Sequence, residues 1–372
     1  MSNRLSGGPG LDGSSLTHRS ADGLPTARTA FLIYANRSGS TLLAAQLSRR
    51  IGPEQLLVIP EFRLVEYLFH VGDDKARRLS PAAMRTMIED DRQISANLDL
   101  SRELLVSTLQ GTIGEGILFK LEKVLEAYVA ANSPGAEPQV VLWKWGNAAT
   151  YVDEIARLLP EARFVHVIRD GRGVVNSLLR SQSPYFPGED LARGSTLHGV
   201  HHWRSALRRN MGPRRVGLDL LDVRYSDLVR VPDQVCRTVK EFLGLGGGLR
   251  EEVGHHSFKV SPAERGIHEL VEDSPRPERI DSWQTELPEW RRHVIEHAAH
   301  KELEDWGYDV TPTQVSTSKR IAWQGRAQIE RLIGFINWSL RRMRPYGARL
   351  AFRLLRLRVK AWSAARRAAS SL

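Results

Sequence analysis

A parallel α/β sheet covered by helices on both faces is the fold class that the sequence predicts. Two patterns carry this expectation. Five short apolar runs with strand character alternate with segments of helical periodicity, and strands that alternate with helices pair in parallel through crossover connections. The first of these runs, Ala30–Ala35, is a short apolar stretch, as in a strand buried on both sides. A third pattern adds to the fold: a strongly basic segment of helical periodicity closes the chain, predicting a basic helical C-terminal extension.

Taken in order, Ala30–Ala35 reads as the first strand, and a Gly/Ser turn leads into an amphipathic helix over Ser40–Arg50. Leu56–Ile59 is the second strand, halted by Pro60, and helical patterns dominate from Phe62 to Asn132. The SPGAEP stretch, 133–138, is a loop. Val140–Trp145, Arg163–Ile168 and Leu220–Arg224 supply the remaining strands. Helices are predicted at Thr150–Leu159, Gly171–Ser181 and Pro232–Leu243. Ser257–Ile280 is poor in periodicity and reads as a loop, and Pro288–Trp306 returns to helix. In such sheets anionic ligands bind at the carboxyl ends of the strands.

The chain of 372 residues, 41% hydrophobic, with 9 Trp and 10 Phe, has the composition of a globular enzyme. Cys236 is the sole cysteine, so an intrachain disulfide and a Cys-based zinc site are excluded. Residues 1–29 are rich in Gly, Ser and Asp without an apolar core, and are expected to be a disordered leader. Residues 30–312 form the expected folded body and 313–372 the tail. No run of 18 apolar residues occurs. The net charge of +10 is unevenly placed: from Lys319 onward there are 14 Lys and Arg and one acid, Glu330. The rest of the chain carries 39 basic and 42 acidic residues. The body is therefore nearly neutral, and nucleic-acid binding does not follow from the overall basicity.

Two constellations carry chemistry. Asn36-Arg37-Ser38-Gly39-Ser40-Thr41-Leu42 lies between a strand and a helix, where backbone N–H groups and a helix dipole face an anion. Gly39 allows close approach, Ser40 and Thr41 add hydroxyls, and Arg37 adds a fixed charge. An ordinary strand–helix turn with an N-cap serine is the alternative. The Walker pattern GxxxxGK[ST] is absent, which disfavours an ATP-hydrolysing loop. The second constellation is Arg169-Asp170-Gly171-Arg172-Gly173-Val174-Val175-Asn176-Ser177. Arg169 ends a strand and Ser177 lies within the next helix, so the two can clamp a phosphate; a solvated Arg-rich turn is the alternative.

Together, RSGST after the first strand and R-x₇-S after a later one resemble the pattern of sulfotransferases that use 3′-phosphoadenosine 5′-phosphosulfate (PAPS). The segment 140–177 resembles the same family's Lys-strand, helix and Arg/Ser block, in its tyrosylprotein and bacterial carbohydrate-type branches. VRYSDL, 223–228, is similar to a family segment whose tyrosine lies near the adenine, and Ser282-Trp283 with Trp306-Gly307-Tyr308 is similar to its closing element. The resemblance implies a P-loop-like fold and PAPS as co-substrate, with adenosine 3′,5′-bisphosphate as product. It also implies a donor site made of Arg37, Ser38, Gly39, Ser40, Thr41, Leu42, Arg169, Ser177 and Tyr225. Two departures matter: Asn36 stands where the family often has Pro before the loop arginine, and Lys144-Trp145-Gly146 stands where cytosolic small-molecule sulfotransferases carry a Lys-Thr-His run with a catalytic histidine. The branch whose base is a glutamate is therefore implied.

In that branch the base follows the second strand in a Glu-x-Arg context, matched here by Glu61 and Arg63. Glu61 is the expected general base, with Arg63 orienting it or the substrate; a partly desolvated carboxylate at a strand end suits that work. A helix N-terminal acid is the alternative. Lys144, between two tryptophans at a strand end, is expected at the sulfuryl group because a buried lysine needs an anion, unless it snorkels to solvent. His198, His201 and His202 lack a carboxylate-rich metal pattern and read as structural or surface residues, and His166 as core. No metal is expected, since a sulfuryl group carries less charge than a phosphoryl group and Arg and Lys can balance it.

In the tail, Arg349, Arg353, Arg356 and Lys360 share one helical face and Leu350, Leu354 and Leu357 another; 329–340 is a second apolar-rich helix. Such a segment suits an anionic membrane surface or packing on the body. The sequence thus predicts a cytoplasmic enzyme, with the inner face of the membrane as a second place it can sit. The acceptor is a hydroxylated metabolite, a carbohydrate or a lipid-linked sugar. A nucleotide-dependent phosphotransferase and a non-catalytic glycan- or membrane-binding protein are the competing classes.

Overall fold

The computed structural model describes residues 27–90, 98–182, 190–251, 258, 275–310 and 315–343. Most of the expected leader, most of the predicted 257–280 loop and the 349–362 register lie outside the described residues.

Five strands form one sheet: β1 (Arg28–Tyr34), β2 (Leu56–Ile59), β3 (Val140–Lys144), β4 (Arg163–Ile168) and β5 (Leu220–Arg224). Their spatial order is β2-β3-β1-β4-β5, and all four pairings are parallel. The register aligns the carboxyl ends: Ile59 pairs with Trp143, Leu32 with Lys144, Tyr34 with Val167 and Ile168 with Arg224. Residues that follow these ends therefore share one edge. The predicted strands occur within one or two residues of their expected bounds.

The helices are α1 (Ser40–Arg50), α2 (Arg63–Val71), α3 (Pro81–Asp90), α4 (Arg102–Gln110), α5 (Ile117–Asn132), α6 (Val152–Leu158), α7 (Gly171–Arg180), α8 (Thr196–Asn210), α9 (Pro232–Phe242), α10 (Glu289–Asp305) and α11 (Thr317–Met343), with shorter turns between. Side chains alternate across a strand, and β1 shows the result. Phe31 and Ile33 pack with residues of α2 to α5, while Ala30, Leu32 and Tyr34 pack with Leu43 and Leu47 of α1 and Val239 of α9. Both faces are thus covered by helices. A third cluster joins Ile168 to α7, α8 and α10.

Two of the polar groups inside this frame are paired across neighbouring elements. His166, fully buried, lies opposite Asp222 on β5, with Nδ1 3.0 Å from Oδ1. Arg172 donates to Glu296 at 2.9 Å and lies 4.0 Å over the Trp283 ring, tying α7 to α10. The apolar segment predicted at 329–340 is part of α11, which starts twelve residues earlier. Its Ala327 is buried with Trp290 and Val294, and Glu330 pairs with Arg291 at 2.9 Å. Among the described residues no helix is long and apolar enough to cross a membrane.

Phe164 is fully buried at the sheet centre, 5.2 Å from the Phe31 ring. Truncation leaves a cavity in the larger core, so Phe164→Ala is expected to lower stability by about 3–5 kcal/mol in urea denaturation.

Candidate active site

The loop after β1 turns by two left-handed residues. Arg37 has φ 72° and Gly39 φ 96°, and Ser38 N–H donates to Ala35 carbonyl at 3.1 Å. Gly39 is the N-cap of α1 and no side chain caps that terminus. The capping serine of the ordinary strand–helix turn is therefore not what forms. The first N–H groups of α1 have no intrahelical acceptor and face the strand edge. Glycine is required at 39 for a second reason: a Cβ there would lie 2.5 Å from Cδ2 of Tyr225. Tyr225 follows β5 and packs directly on the loop.

Arg169 and Ser177 come to the same place. Arg37 Nε donates to Ser177 Oγ at 3.0 Å, bridging the two constellations across 140 residues of sequence. Arg169 Nη1 donates to the Arg37 carbonyl at 3.2 Å and Nη2 to the Arg279 carbonyl at 2.8 Å, and its guanidinium lies 4.2 Å over the Tyr225 ring. Burial lowers the Arg169 pKa, and its Nε has no hydrogen-bond partner. Among the described residues no carboxylate forms an ion pair with it. A guanidinium held by neutral carbonyls and a ring keeps its charge for an incoming anion. Asp170 and Arg172 act differently: Asp170 caps α7 by accepting from Arg172 N–H at 2.8 Å.

At the other end of the edge, Glu61 and Lys144 form an ion pair at 3.5 Å, with the lysine side chain 6% exposed and the glutamate 39%. Lys144 therefore does not snorkel. Glu61 precedes the N-cap of α2, Phe62, and turns toward β3; the first-turn acid of α2 is Glu66. The third member, Tyr34, is marked by no sequence pattern. Its hydroxyl donates to Glu61 Oε2 at 2.5 Å and accepts from Lys144 Nζ at 3.1 Å. The ring lies 5.0 Å from Nζ, and a Cβ on Gly146 would meet its Cε2 at 2.9 Å. The tyrosine thus fills space that a side chain at 146, the last position of Lys144-Trp145-Gly146, would need. Arg63 is exposed in the first turn of α2.

Two cavities adjoin this edge. One of about 280 Å³ is lined by the 37–42 loop, Arg169, Ser177 and Tyr225, with Asn176 and Arg279. The other, about 710 Å³, shares Arg169 and Tyr225 and extends toward Arg224, Arg292 and Tyr308. No group of three His, Cys, Asp or Glu among the described residues is placed to hold a metal ion.

Of the three clustered histidines, His202 reaches the loop: Asn36 N–H donates to its Nε2 at 3.3 Å. Burial first, then Arg209, His201 and Arg193, push its pKa down to about 4, and His198 is pushed to about 4 likewise. A neutral ring is what an accepting Nε2 requires.

A sequence model of the sulfotransferase family matches residues 30–246, more than half of the chain. The chain belongs to the sulfotransferase family. Protein-tyrosine sulfotransferase 1 of Danio rerio is 24% identical over 265 residues, covering 68% of this chain and 64% of that protein. The match thus spans less than two thirds of the relative's own length. The sulfotransferase domain of the Synechococcus PCC 7002 olefin synthase superposes with a TM-score of 0.51 at 20% identity, covering 77% of this chain and 97% of that domain. The sulfotransferase domain from the curacin biosynthetic pathway gives 0.49 at 17% identity, covering 77% and 99%. The cyanobacterial likeness shows that the fold is shared.

Because His202 is neutral when folded and titrates near 6.5 when unfolded, the unfolded chain binds more protons between those values. Stability is then lost as pH falls from about 6.5 toward about 4. His202→Gln keeps an acceptor without a proton to gain, and is expected to flatten the pH dependence of the melting temperature over that window.

Proposed function

We propose that the protein is a PAPS-dependent sulfotransferase that sulfates a hydroxyl, with Glu61 as general base. The observation that carries the donor half is Arg169, a guanidinium without a carboxylate ion pair among the described residues, joined through Arg37 to Ser177 at a helix start without a side-chain cap. The orphaned Arg169 Nε and the buried, unpartnered Ser38 Oγ fit an anionic group. In this reading Arg169 and Ser177 hold the 3′-phosphate, and the N–H groups and hydroxyls of Ser38–Leu42 hold the 5′-phosphosulfate with Arg37. Tyr225 lies beside the adenine. PAPS supplies the sulfuryl group and leaves as adenosine 3′,5′-bisphosphate.

The chain's own residues then divide the work. Glu61 takes the proton of the acceptor hydroxyl as its oxygen attacks in line with the leaving oxygen. Lys144, Arg37 and the loop N–H groups balance negative charge on the leaving side, without reorganising at the moment of reaction. Tyr34 is a positioning residue: by binding Glu61 and Lys144 together it fixes the base relative to the cation. Arg63, at the start of α2, orients the acceptor. The acceptor is a carbohydrate, a lipid-linked sugar, another hydroxylated metabolite or, by analogy with the Danio rerio relative, a tyrosine side chain.

The donor half is tested by calorimetry with adenosine 3′,5′-bisphosphate. Arg169→Ala is expected to weaken binding at least about 100-fold, near 2.7 kcal/mol. The base is tested with sulfur-labelled PAPS and a cell extract, following the labelled product. Glu61→Gln is expected to lower transfer about 100-fold or more with bisphosphate binding intact, and Tyr34→Phe about tenfold. Near-full transfer by Glu61→Gln would remove Glu61 from its role.

A further inference from the structure

We propose that the outer face of α11 is a docking surface for an anionic lipid membrane. Ile329, Leu332, Ile333, Ile336 and Leu340 recur at the spacing that places side chains on one face of a helix. They are 60, 59, 52, 39 and 52% exposed. The stripe runs about 17 Å along the helix. A row of large aliphatic side chains in water of this extent marks a contact surface.

The opposite face explains why the stripe points outward. Ala327 is buried against Trp290 and Val294 of α10, with Trp323 beside it. Glu330 Oε1 accepts from Arg291 at 2.9 Å and its Oε2 accepts from the Thr196 hydroxyl at 3.0 Å, joining α11 to α10 and α8. Arg193 lies 4.3 Å over the Trp338 ring. The helix is therefore anchored to the body along its length.

Charge selects the occupant. α11 carries Lys319, Arg320, Arg326, Arg331, Arg341 and Arg342, and its one acid, Glu330, is turned inward and paired. Residues 344–372 add eight basic residues and no acid. A second copy of the chain laid on this stripe, or the chain's own C-terminal segment, would bring like charges together across the apolar contact. A nucleic acid matches the charge but leaves the isoleucines and leucines in water. A cationic helix with an aliphatic stripe matches a surface of anionic headgroups over acyl chains on both counts. The expected position is in the plane of the interface.

The test is co-sedimentation of the full chain with vesicles of phosphatidylcholine, alone or mixed with phosphatidylglycerol. Binding is expected to be at least about tenfold tighter to the mixed vesicles and to fall in about 1 M salt, where the screening length is about 3 Å. The double variant Ile333→Asp/Ile336→Asp is expected to bind at least about tenfold more weakly. Both positions are exposed, so its melting temperature and its shift with adenosine 3′,5′-bisphosphate should match the wild type. Three results overturn the proposal: no binding to the mixed vesicles; undiminished binding by the double variant, which would move the contact beyond residue 343; or a wild-type dimer in light scattering that the double variant dissociates, which would make the stripe an interface between copies.

Discussion

A partly buried arginine that forms no ion pair with a carboxylate among the described residues is the constraint around which the site is arranged. Arg169 leaves the end of β4 and is held by the carbonyls of Arg37 and Arg279 and by the ring of Tyr225. Neutral partners accept from its two Nη groups but leave its Nε and its charge without a counterpart, which costs folding free energy unless an anion arrives. Each partner in turn fixes something else. The Arg37 carbonyl belongs to the left-handed turn that starts α1, and Tyr225 packs so closely on Gly39 that no side chain fits there. The geometry of the donor loop and the burial of the arginine are one arrangement.

The second constraint lies at the other end of the same edge. Lys144 is almost fully buried, and here a carboxylate is present. Direct pairing at 3.5 Å is loose, and the Tyr34 hydroxyl closes the gap by bonding both groups. The sheet order separates the two regimes: Glu61 follows β2 and Lys144 ends β3, Arg169 and Tyr225 follow β4 and β5, and the β1 loop lies between. An uncompensated charge on one side suits holding a polyanion. A compensated, hydrogen-bonded trio on the other suits moving a single proton.

How much of this could be read beforehand follows from how local each feature is. The strands and the two anion-facing constellations were legible because apolar runs, a glycine-bearing turn and an arginine–serine spacing are written in consecutive residues. Glu61 is legible only through the resemblance and Lys144 through the cost of burying a lysine in a strand, and no local pattern pairs the two. Tyr34 was invisible: within AFLIYA it has the pattern of a core aromatic, and its partners are 27 and 110 residues away. His202 was hidden in the same way, inside a basic helix whose contact with Asn36 spans 166 residues. The departure at Gly146 was seen as a missing histidine. Its physical meaning, space for the tyrosine ring, needed the packing of β1 against β3.

The same contrast explains why the donor is easier to infer than the acceptor. A phosphate is recognised by backbone N–H groups at a helix start and by one or two arginines, and such groups recur with little variation wherever the sheet edge is used this way. In the proposed reading the acceptor is recognised by side chains on α2 to α5, the helices inserted between β2 and β3, and on α8. Those helices owe their sequence chiefly to packing: Leu64, Leu68, Leu105, Leu109 and Val124 are buried in the core beneath them. The outward positions that would touch an acceptor follow no period and carry no fixed spacing. Glu61 and Tyr34 sit where the two regions meet, so in the proposed reading the proton-moving group is held at the sheet edge while the acceptor's identity is left to the helices above it.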